Sequence, residues 1–449
     1  MTSTSPTGAG ESTSQRGRWP IAFLLAFGVI VNFFDRINLA VSQEALHASF
    51  GLTLIGYGYL SSAFSWSYAA MQVPAGLLLD RLGVRRVGRI ATFLWSVASF
   101  CAALSTGLTG LFAARLLLGV AESPTFPANA KAIGLWFRER ERSLAIAVTD
   151  SAAKLSSAIG VPLIGVLLLQ FGWRWSFAAT GFASLIYFAL FCRVYRDPAQ
   201  AAAPPAQDFT SPSEESPRHR GFERTPQEAL IARWLRLWRT SSLRYLLAQR
   251  KVIGLAIGWG AYNYTFFLLL NWLPKYLSFS LHVDLLHSVF YTSVPWLFAA
   301  ISDFVVGGWL VDFLIQQGWD ATRVRQAVLL IGTALGLAIW GAGHAHSPTA
   351  ALVWISIALS GLAAAAPVAW TVPSLIAPQG AVGTVGGMAN FCGQLSAISA
   401  PIVTGYIVSA THSFAYAFAI ATVILLLGIA SYVLLLGRIE RIPEPAATF

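Results

Sequence analysis

Charged residues are scarce in this sequence, and their scarcity excludes an ordinary soluble globular protein. Only 11% of the 449 residues are Asp, Glu, Lys or Arg, whereas 56% are hydrophobic. About a quarter of the residues of a soluble domain are charged. The surplus of apolar side chains therefore predicts a protein whose surface lies in a lipid bilayer.

Cysteine is also rare, and the motifs of several enzyme classes are missing. The three cysteines, at positions 101, 192 and 392, lie inside apolar runs, which predicts small hydrophobic side chains and no disulfide framework. No Walker loop, zinc motif or Gly-x-Ser-x-Gly sequence occurs, and His344 and His346 lack further ligands. We therefore expect neither an enzyme nor a protein with a metal or cofactor.

About twelve apolar stretches are long enough to cross a bilayer as helices. They cover approximately residues 19–41, 53–79, 88–108, 111–135, 143–169, 175–194, 252–272, 286–312, 326–345, 350–376, 383–409 and 414–437. A segment rich in Pro, Ser and charge separates the sixth stretch from the seventh. The pattern predicts an all-α membrane protein with twelve transmembrane helices in two six-helix bundles.

The domain organisation follows from these stretches. We expect a disordered N-terminal segment over residues 1–18, without a cleavable signal peptide. A first bundle spans residues 19–195, a linker 196–250, a second bundle 251–437, and a tail 438–449. The linker ends in an amphipathic segment over residues 229–251, in which apolar and Arg side chains fall on opposite helix faces over residues 230–239; this predicts a helix in the inner headgroup layer. A site for a regulatory partner is the alternative.

The distribution of Lys and Arg predicts the orientation. If the N-terminus is inside, nearly all loop Arg residues and the Arg-rich linker lie inside, and the outer loops hold only Arg174 and Lys275. We therefore expect a multi-pass protein of the cytoplasmic membrane with both termini in the cytoplasm. The net charge of +10 is then a topology signal and does not indicate nucleic-acid binding.

A short motif repeats at the inner ends of the second and eighth stretches. Gly76 precedes Asp80 by four residues, and Gly308 precedes Asp312 by the same distance. The second copy has Phe313 where the first has Arg81. Two related halves with a site between them are typical of a secondary transporter. We expect Asp80, Arg81 and Asp312 to act in gating.

Several segments together resemble the anion:cation symporter family of the major facilitator superfamily. GLLLDRLGVRR resembles the loop signature of the superfamily, and NFFDRINLAVS, RLLLGVAESPTFPANAKAIGLWF, FGWRWSFAATG, NWLPKYL and NFCGQLSAISAPIVTGYI resemble the narrower family. The resemblance runs from about residue 19 to 437 without the linker. It implies a carrier of sugar acids or other organic anions. The family also includes the vesicular and phosphate carriers of animals.

Most charges inside the predicted spans belong to the first half: Asp35, Arg36, Arg115, Glu122, Asp150 and Lys154. Arg115 and Glu122 are two helical turns apart and share a face, so we expect the charges to face one central cavity. The resemblance implies that Asp35 and Glu122 bind protons and that Arg36 and Arg115 bind substrate. The alternative is structural ion pairs, although buried pairs add little net stability.

Lys154 and Asp150 depart from the family pattern. Their i, i+4 spacing allows an ion pair on one helix face. Either the pair neutralises itself, or Lys154 reaches the cavity as a further substrate-binding cation, which would favour a substrate with a second acidic group. Asp303 is the only such charge in the second half, and we expect it to act in gating or packing.

Neutral residues complete the predicted substrate site. By resemblance, the cavity is lined by Tyr68, Gln72, Asn263, Tyr264, Trp370, Asn390 and Gln394. Hydroxyl-rich sugar acids need such donors and acceptors. Pro367 and Ala369 stand where sugar-acid carriers often have hydroxyl residues, which favours an aromatic or short-chain acid instead. For any single Tyr or Trp, helix packing or an interface belt is the alternative.

The prediction that follows is a proton-coupled symporter of a small organic anion, a sugar acid or related carboxylate, that functions as a monomer. A uniporter or exporter on the same fold would not need both Asp35 and Glu122. A sodium-coupled carrier of an aromatic or dicarboxylic acid is a further alternative. A membrane sensor would normally carry an additional signalling domain, and the linker is too short and too rich in proline for one.

Overall fold

A computed structural model describes residues 18–137, 139–197, 241–378 and 381–443, and this part of the chain is helical without strands. It includes two π-helical segments, Asp303–Leu310 and Tyr432–Leu436. In chain order the α-helices are α1 (Arg18–Val41), α2 (Gln43–Phe50), α3 (Leu54–Ala103), α4 (Leu108–Glu122), α5 (Thr125–Trp136), α6 (Glu139–Val194), α7 (Ser241–Ala248), α8 (Arg250–Leu281), α9 (Leu285–Ser302), α10 (Val311–Gln316), α11 (Ala321–Gly336), α12 (Ile339–Ala342), α13 (Pro348–Ile376), α14 (Val382–Thr411) and α15 (Ala415–Ser431).

Two of these helices are each a pair of spans joined at a glycine. Gly83 in α3 and Gly172 in α6 have φ angles of 77° and 79°, in the left-handed region that a side chain makes unfavourable. The chain reverses at each glycine. Spans 2 and 3 are therefore the two arms of α3, and spans 5 and 6 the two arms of α6.

The remaining spans are built from single helices or from broken ones. Span 1 is α1, span 7 is α8, and spans 10 and 11 are α13 and α14. Span 4 combines α4 and α5, span 8 runs from α9 through a π-helical segment to α10, span 9 combines α11 and α12, and span 12 is α15 with its π-helical end. The predicted twelve transmembrane helices in two bundles are confirmed.

Proline and capping side chains determine where several helices begin. Pro124 has no N–H and separates α4 from α5, so the fourth predicted stretch is interrupted. The side chains of Thr53, Asp320 and Ser347 accept hydrogen bonds from the first turns of α3, α11 and α13. Of the predicted amphipathic linker segment, residues 241–248 form α7, and residues 229–240 lie outside the described residues.

The two bundles repeat one packing arrangement. Span 1 packs mainly against spans 5 and 6, and span 7 packs against spans 11 and 12, which are the corresponding elements of the second half. Between the halves, spans 2 and 3 contact span 11, and spans 5 and 6 contact span 8. These contacts form the two seams between the halves.

The halves are in close contact at one end, which we call the sealed end and define by Glu44, Tyr57, Lys275 and Gly405. A Cβ on Gly405 would lie 2.7 Å from the carbonyl oxygen of Leu54, so only glycine permits this approach of spans 2 and 11. The Tyr57 hydroxyl donates to the Asn271 carbonyl over 2.7 Å, and Lys275 forms an ion pair with Glu44.

At the opposite end, glycines of the same two spans have open space beside them. No described atom lies within 4 Å of a Cβ built on Gly76 in span 2 or on Gly387 in span 11. The side chains of Arg81 and Asp312 are exposed there, whereas that of Asp80 lies outside the described part of the chain. The gating roles of these three residues stay predictions.

Candidate functional site

Arg36 and Glu122 form a buried ion pair between spans 1 and 4. The Nε and Nη2 atoms of Arg36 each lie 3.1 Å from Oε2 of Glu122. Glu122 is the last residue of α4 and is fully buried. The sequence placed Glu122 on one face with Arg115, but in the folded protein its ion-pair partner is Arg36.

Asp35 points away from Arg36 and into the first bundle. The hydroxyls of Ser99 in span 3 and Ser184 in span 6 donate to its two carboxylate oxygens over 2.7 and 3.0 Å. Consecutive helical residues do not face each other, which is why Asp35 and Arg36 do not form the ion pair considered as an alternative. Nη1 of Arg115 donates to the Asp35 carbonyl oxygen over 3.1 Å. Neither serine was identified from the sequence.

Aromatic rings cover the two guanidinium groups. The guanidinium carbons of Arg36 and Arg115 lie 4.5 and 5.4 Å from the centre of the Phe64 ring, which lies one turn before Tyr68. The centre of the Tyr68 ring is 5.5 Å from the guanidinium carbon of Arg36. Such contacts attract each guanidinium to the face of the ring and fix its position. In the sequence, only its i, i+4 spacing from the predicted residue Tyr68 indicated that Phe64 could belong to the site.

Lys154 holds two carboxylates from different halves of the protein. Its Nζ atom lies 2.6 Å from Oδ2 of Asp150 in its own span and 2.5 Å from Oδ2 of Asp303 in span 8. The predicted i, i+4 pair is therefore present, and Asp303 joins it. The buried charges thus form two groups, one around Arg36 and Glu122 and one at the seam between spans 5 and 8, and their exposure to one central cavity stays a prediction.

In the second half, one surface of span 7 combines with spans 10 and 11. The ring centres of Trp259 and Trp370 are 4.9 Å apart, and a Cβ on Gly393 would lie 2.9 Å from Nδ2 of Asn263. Asn263 donates to the Trp259 carbonyl, and the Trp370 side chain is 40% exposed. Trp259 was not identified from the sequence.

Tyr264 does not lie on this surface. It follows Tyr262 by two residues, about 200° around the helix, and its buried hydroxyl has no hydrogen-bond partner among the described residues. Tyr262 stacks on Trp259 and lies within electrostatic range of Lys154. Tyr262 is therefore the tyrosine that contacts Trp259, and the substrate-binding role of Tyr264 stays a prediction.

The remaining predicted residues are polar groups with spare hydrogen-bonding capacity. Oε1 of the buried Gln394 and Nε2 of the half-buried Gln72 have no partner among the described residues, and Asn390 is half-buried one turn before Gln394. An apolar cavity of about 610 Å³ between spans 8, 9 and 10 is a separate feature, lined by residues such as Val306, Ile331 and Leu335.

Comparisons with known proteins agree with this architecture. The model of the Major Facilitator Superfamily matches residues 25–401. The "Uncharacterized transporter YybO" of Bacillus subtilis (strain 168) is 36% identical over 432 residues, which cover 95% of each chain. The "D-galactonate transporter" of Escherichia coli O6:H1 is 31% identical over 427 residues, covering 95% of this chain and 97% of that one.

The fold also matches a solved transporter structure. A bacterial homolog of the human lysosomal transporter Spinster, in an inward-facing and unoccupied conformation, superposes with a TM-score of 0.71 at 16% identity. The match covers 96% of this chain and 98% of that chain. The chain is a transporter and not an enzyme, and it belongs to the Major Facilitator Superfamily.

Proposed function

We propose that this protein is a proton-coupled symporter of a small organic anion, a sugar acid or a related carboxylate, in the cytoplasmic membrane. The sealed end faces outwards, both termini lie in the cytoplasm, and a monomer is sufficient for transport. The similarity to a carrier named for D-galactonate supports the substrate class. The distribution of Lys and Arg supports the orientation.

The observation that carries the proposal is the buried pair of Arg36 and Glu122. An arginine presents the fork of donors that a substrate carboxylate needs, but here Glu122 already occupies it. A proton on Glu122 removes this competition, because the neutral acid no longer attracts the guanidinium. The proton and the anion therefore favour each other at one arginine, which is the thermodynamic condition for symport.

Asp35 and Arg115 lie beside this ion pair, and Arg115 donates to the Asp35 carbonyl oxygen. Two serine hydroxyls donate to the Asp35 carboxylate, and a proton on one carboxylate oxygen would compete with the serine that donates to that oxygen. Arg115 donates to the backbone beside Arg36 and stacks on the same Phe64 ring. We propose that Asp35 is the second proton site and that Arg115 contributes to anion binding.

Neutral side chains from both halves complete the proposed substrate site. Tyr68 and Gln72 supply the first half, and Asn263, Trp370, Asn390 and Gln394 supply the second. Tyr264 requires a rotation of span 7 to take part, because it faces away from Trp259. Lys154 can bind a second substrate carboxylate only if that group displaces Asp150 or Asp303.

A second candidate substrate is an aromatic acid. Trp259, Tyr262 and Trp370 place a wide aromatic surface in the second half, and Pro367 and Ala369 add no hydroxyl groups. A thermal-shift screen of the purified protein against sugar acids, dicarboxylates and aromatic acids separates the candidates. We expect stabilisation by members of one class only, since binding to the folded state raises its stability by mass action.

The coupling is tested in proteoliposomes with the substrate identified by that screen. Wild-type protein should take up protons when substrate is added and should concentrate substrate under an imposed pH gradient. Asp35→Asn and Glu122→Gln should still catalyse counterflow of labelled substrate but should not accumulate it. If both variants concentrate substrate, a uniporter or a sodium-coupled carrier becomes the better account.

The gate belongs to the same cycle. We propose that Asp80, Arg81 and Asp312 hold the open end closed in the alternate conformation, where span 2 meets span 11 near Gly386 and Gly387. Asp80→Asn should then slow turnover with little change in substrate affinity. A large loss of affinity at normal turnover would argue for a direct contact with substrate instead.

A further inference from the structure

The group formed by Asp150, Lys154 and Asp303 is not used by the coupling proposed above. The side chains of Lys154 and Asp303 are 4% and 0% exposed, and that of Asp150 is 15% exposed. Both carboxylates share the single ammonium group, at 2.6 and 2.5 Å. One bond stays within span 5, whereas the other crosses the seam to span 8.

The charges of this group do not balance. Two carboxylates and one ammonium leave one negative charge when all three are ionised, and an excess charge inside a membrane protein is costly. Tyr262 is the titratable group that faces the cluster from span 7. Span 10 packs against span 8 and contains no Asp, Glu, Lys, Arg or His, and Asp35 and Arg36 of span 1 are bonded to other groups.

The two acids respond differently to a movement of the halves. Asp150 is one helical turn from Lys154 and keeps it as a partner in any arrangement of the bundles. Asp303 keeps Lys154 only while spans 5 and 8 are together. When they separate, an ionised Asp303 is left without its partner, which is strongly unfavourable unless a proton neutralises it.

Span 8 changes from an α-helix to a π-helix at Asp303. Asp303 begins the π-helical segment Asp303–Leu310, a local conformation that is frequent at functional sites. On the sealed side of Asp303, a Cβ on Gly165 of span 5 would lie 2.7 Å from Val289 of span 8. Opening the sealed end requires this contact to break. The contact between Lys154 and Asp303 lies on the same seam, about three helical turns from Gly165 along span 5.

We propose that Asp303 is an additional proton-binding site, in which Lys154 and a proton compete for the same carboxylate. When the seam between spans 5 and 8 is closed, Lys154 neutralises Asp303. When the seam opens, Lys154 stays with Asp150 and water delivers a proton to Asp303. This site is separate from Asp35 and Glu122, and it adds a proton to the conformational step itself.

The test measures the seam directly, without substrate. Spin labels are placed at the sealed ends of spans 5 and 8, with the three native cysteines replaced by serine. Asp35→Asn and Glu122→Gln are included so that neither residue contributes to the response. Since only the open seam binds the proton, longer distances should become more populated as the pH is lowered across the range in which the protein stays folded. A distance distribution that does not change over this range overturns the proposal, whatever the transport activity.

Two matched substitutions add an internal control, because each removes one negative charge from the same group. Asp303→Asn should give long distances at every pH and abolish the pH response. Asp150→Asn leaves Lys154 with Asp303 alone, so it should favour the closed seam and require more acid to open it. Distances that move in the same direction in both variants would overturn the proposal. Asp303→Glu should keep the pH response, and its loss in this variant would count equally against it.

Discussion

Arg36 illustrates how one buried residue carries both stability and function. Its guanidinium neutralises the fully buried Glu122, so its removal leaves an unpaired buried carboxylate. Breaking a buried pair in this way costs about 3–5 kcal/mol, whereas removal of both charges can be nearly neutral. The two contributions can therefore be separated by removing the partner as well.

The corresponding prediction concerns Arg36→Ala alone and together with Glu122→Gln. We expect Arg36→Ala to lower the melting temperature and abolish anion uptake. The double substitution should restore most of the melting temperature but no uptake, because the carboxylate-binding group is still absent. Thermal unfolding of purified protein and uptake in proteoliposomes are the measurements. Uptake by the double variant would remove Arg36 from the mechanism, and an unchanged melting temperature in Arg36→Ala would argue against an obligatory pair.

The same residues show what the sequence could and could not predict about the site. Charges inside apolar stretches identified Asp35, Arg36, Arg115 and Glu122, because such residues are rare without a function. Their partners could not be read from one-dimensional spacing. Ser99 and Ser184 reach Asp35 from two other spans. Asp303 reaches Lys154 from the other half of the chain.

At the level of elements, the close approach of spans 2 and 4 depends on Gly119. A Cβ at this position would lie 2.2 Å from the Phe64 carbonyl oxygen, which belongs to the backbone and cannot turn aside. The Phe64 ring in turn lies over the Arg36 guanidinium. The helix pairing therefore sets the position of a proposed substrate-binding group.

We predict that Gly119→Ala moves span 2 away from span 4. The overpacking should destabilise the protein by about 1–3 kcal/mol and weaken substrate binding, because Phe64 no longer covers Arg36 in the same way. Gly383→Ala is the control, since no described atom lies within 4 Å of a Cβ there. It should leave binding unchanged. Equal effects of the two substitutions on substrate affinity would show that the pairing of spans 2 and 4 does not control the site.

The elements themselves were largely predictable, because a helix must run about twenty apolar residues to cross a bilayer. The interruptions were harder to predict. Pro124 splits span 4, and this could have been inferred from proline chemistry alone. The π-helical segment that begins at Asp303 has no comparable signal in the sequence. Within it, a Cβ on Gly307 would lie 2.6 Å from the Ala364 carbonyl oxygen of span 10, a contact between spans that sequence spacing does not show.

At the level of the whole molecule, the two states of the transporter differ in which end is sealed. At the sealed end, a buried hydrogen bond joins Tyr57 to the Asn271 carbonyl, and the Tyr57 ring packs edge-on against Trp272. Lys275 and Glu44 add an ion pair in which the Glu44 side chain is 44% exposed. A typical hydrogen bond contributes about 0.5–1.5 kcal/mol, whereas exposed ion pairs typically contribute about 0–1 kcal/mol. Tyr57 should therefore matter more than Glu44 for the seal.

The last prediction compares Tyr57→Phe with Glu44→Gln. Tyr57→Phe keeps the ring against Trp272 and removes only the hydroxyl. It should therefore shift the equilibrium by about tenfold, equivalent to about 1.4 kcal/mol, towards the conformation in which the halves separate at the sealed end. Glu44→Gln should shift it by less, and the difference between this variant and the wild type should shrink at high salt. Spin-label distances between the sealed ends of spans 2 and 11 measure both populations. A larger shift from Glu44→Gln than from Tyr57→Phe would mean that the surface ion pair, and not the buried hydrogen bond, closes this end.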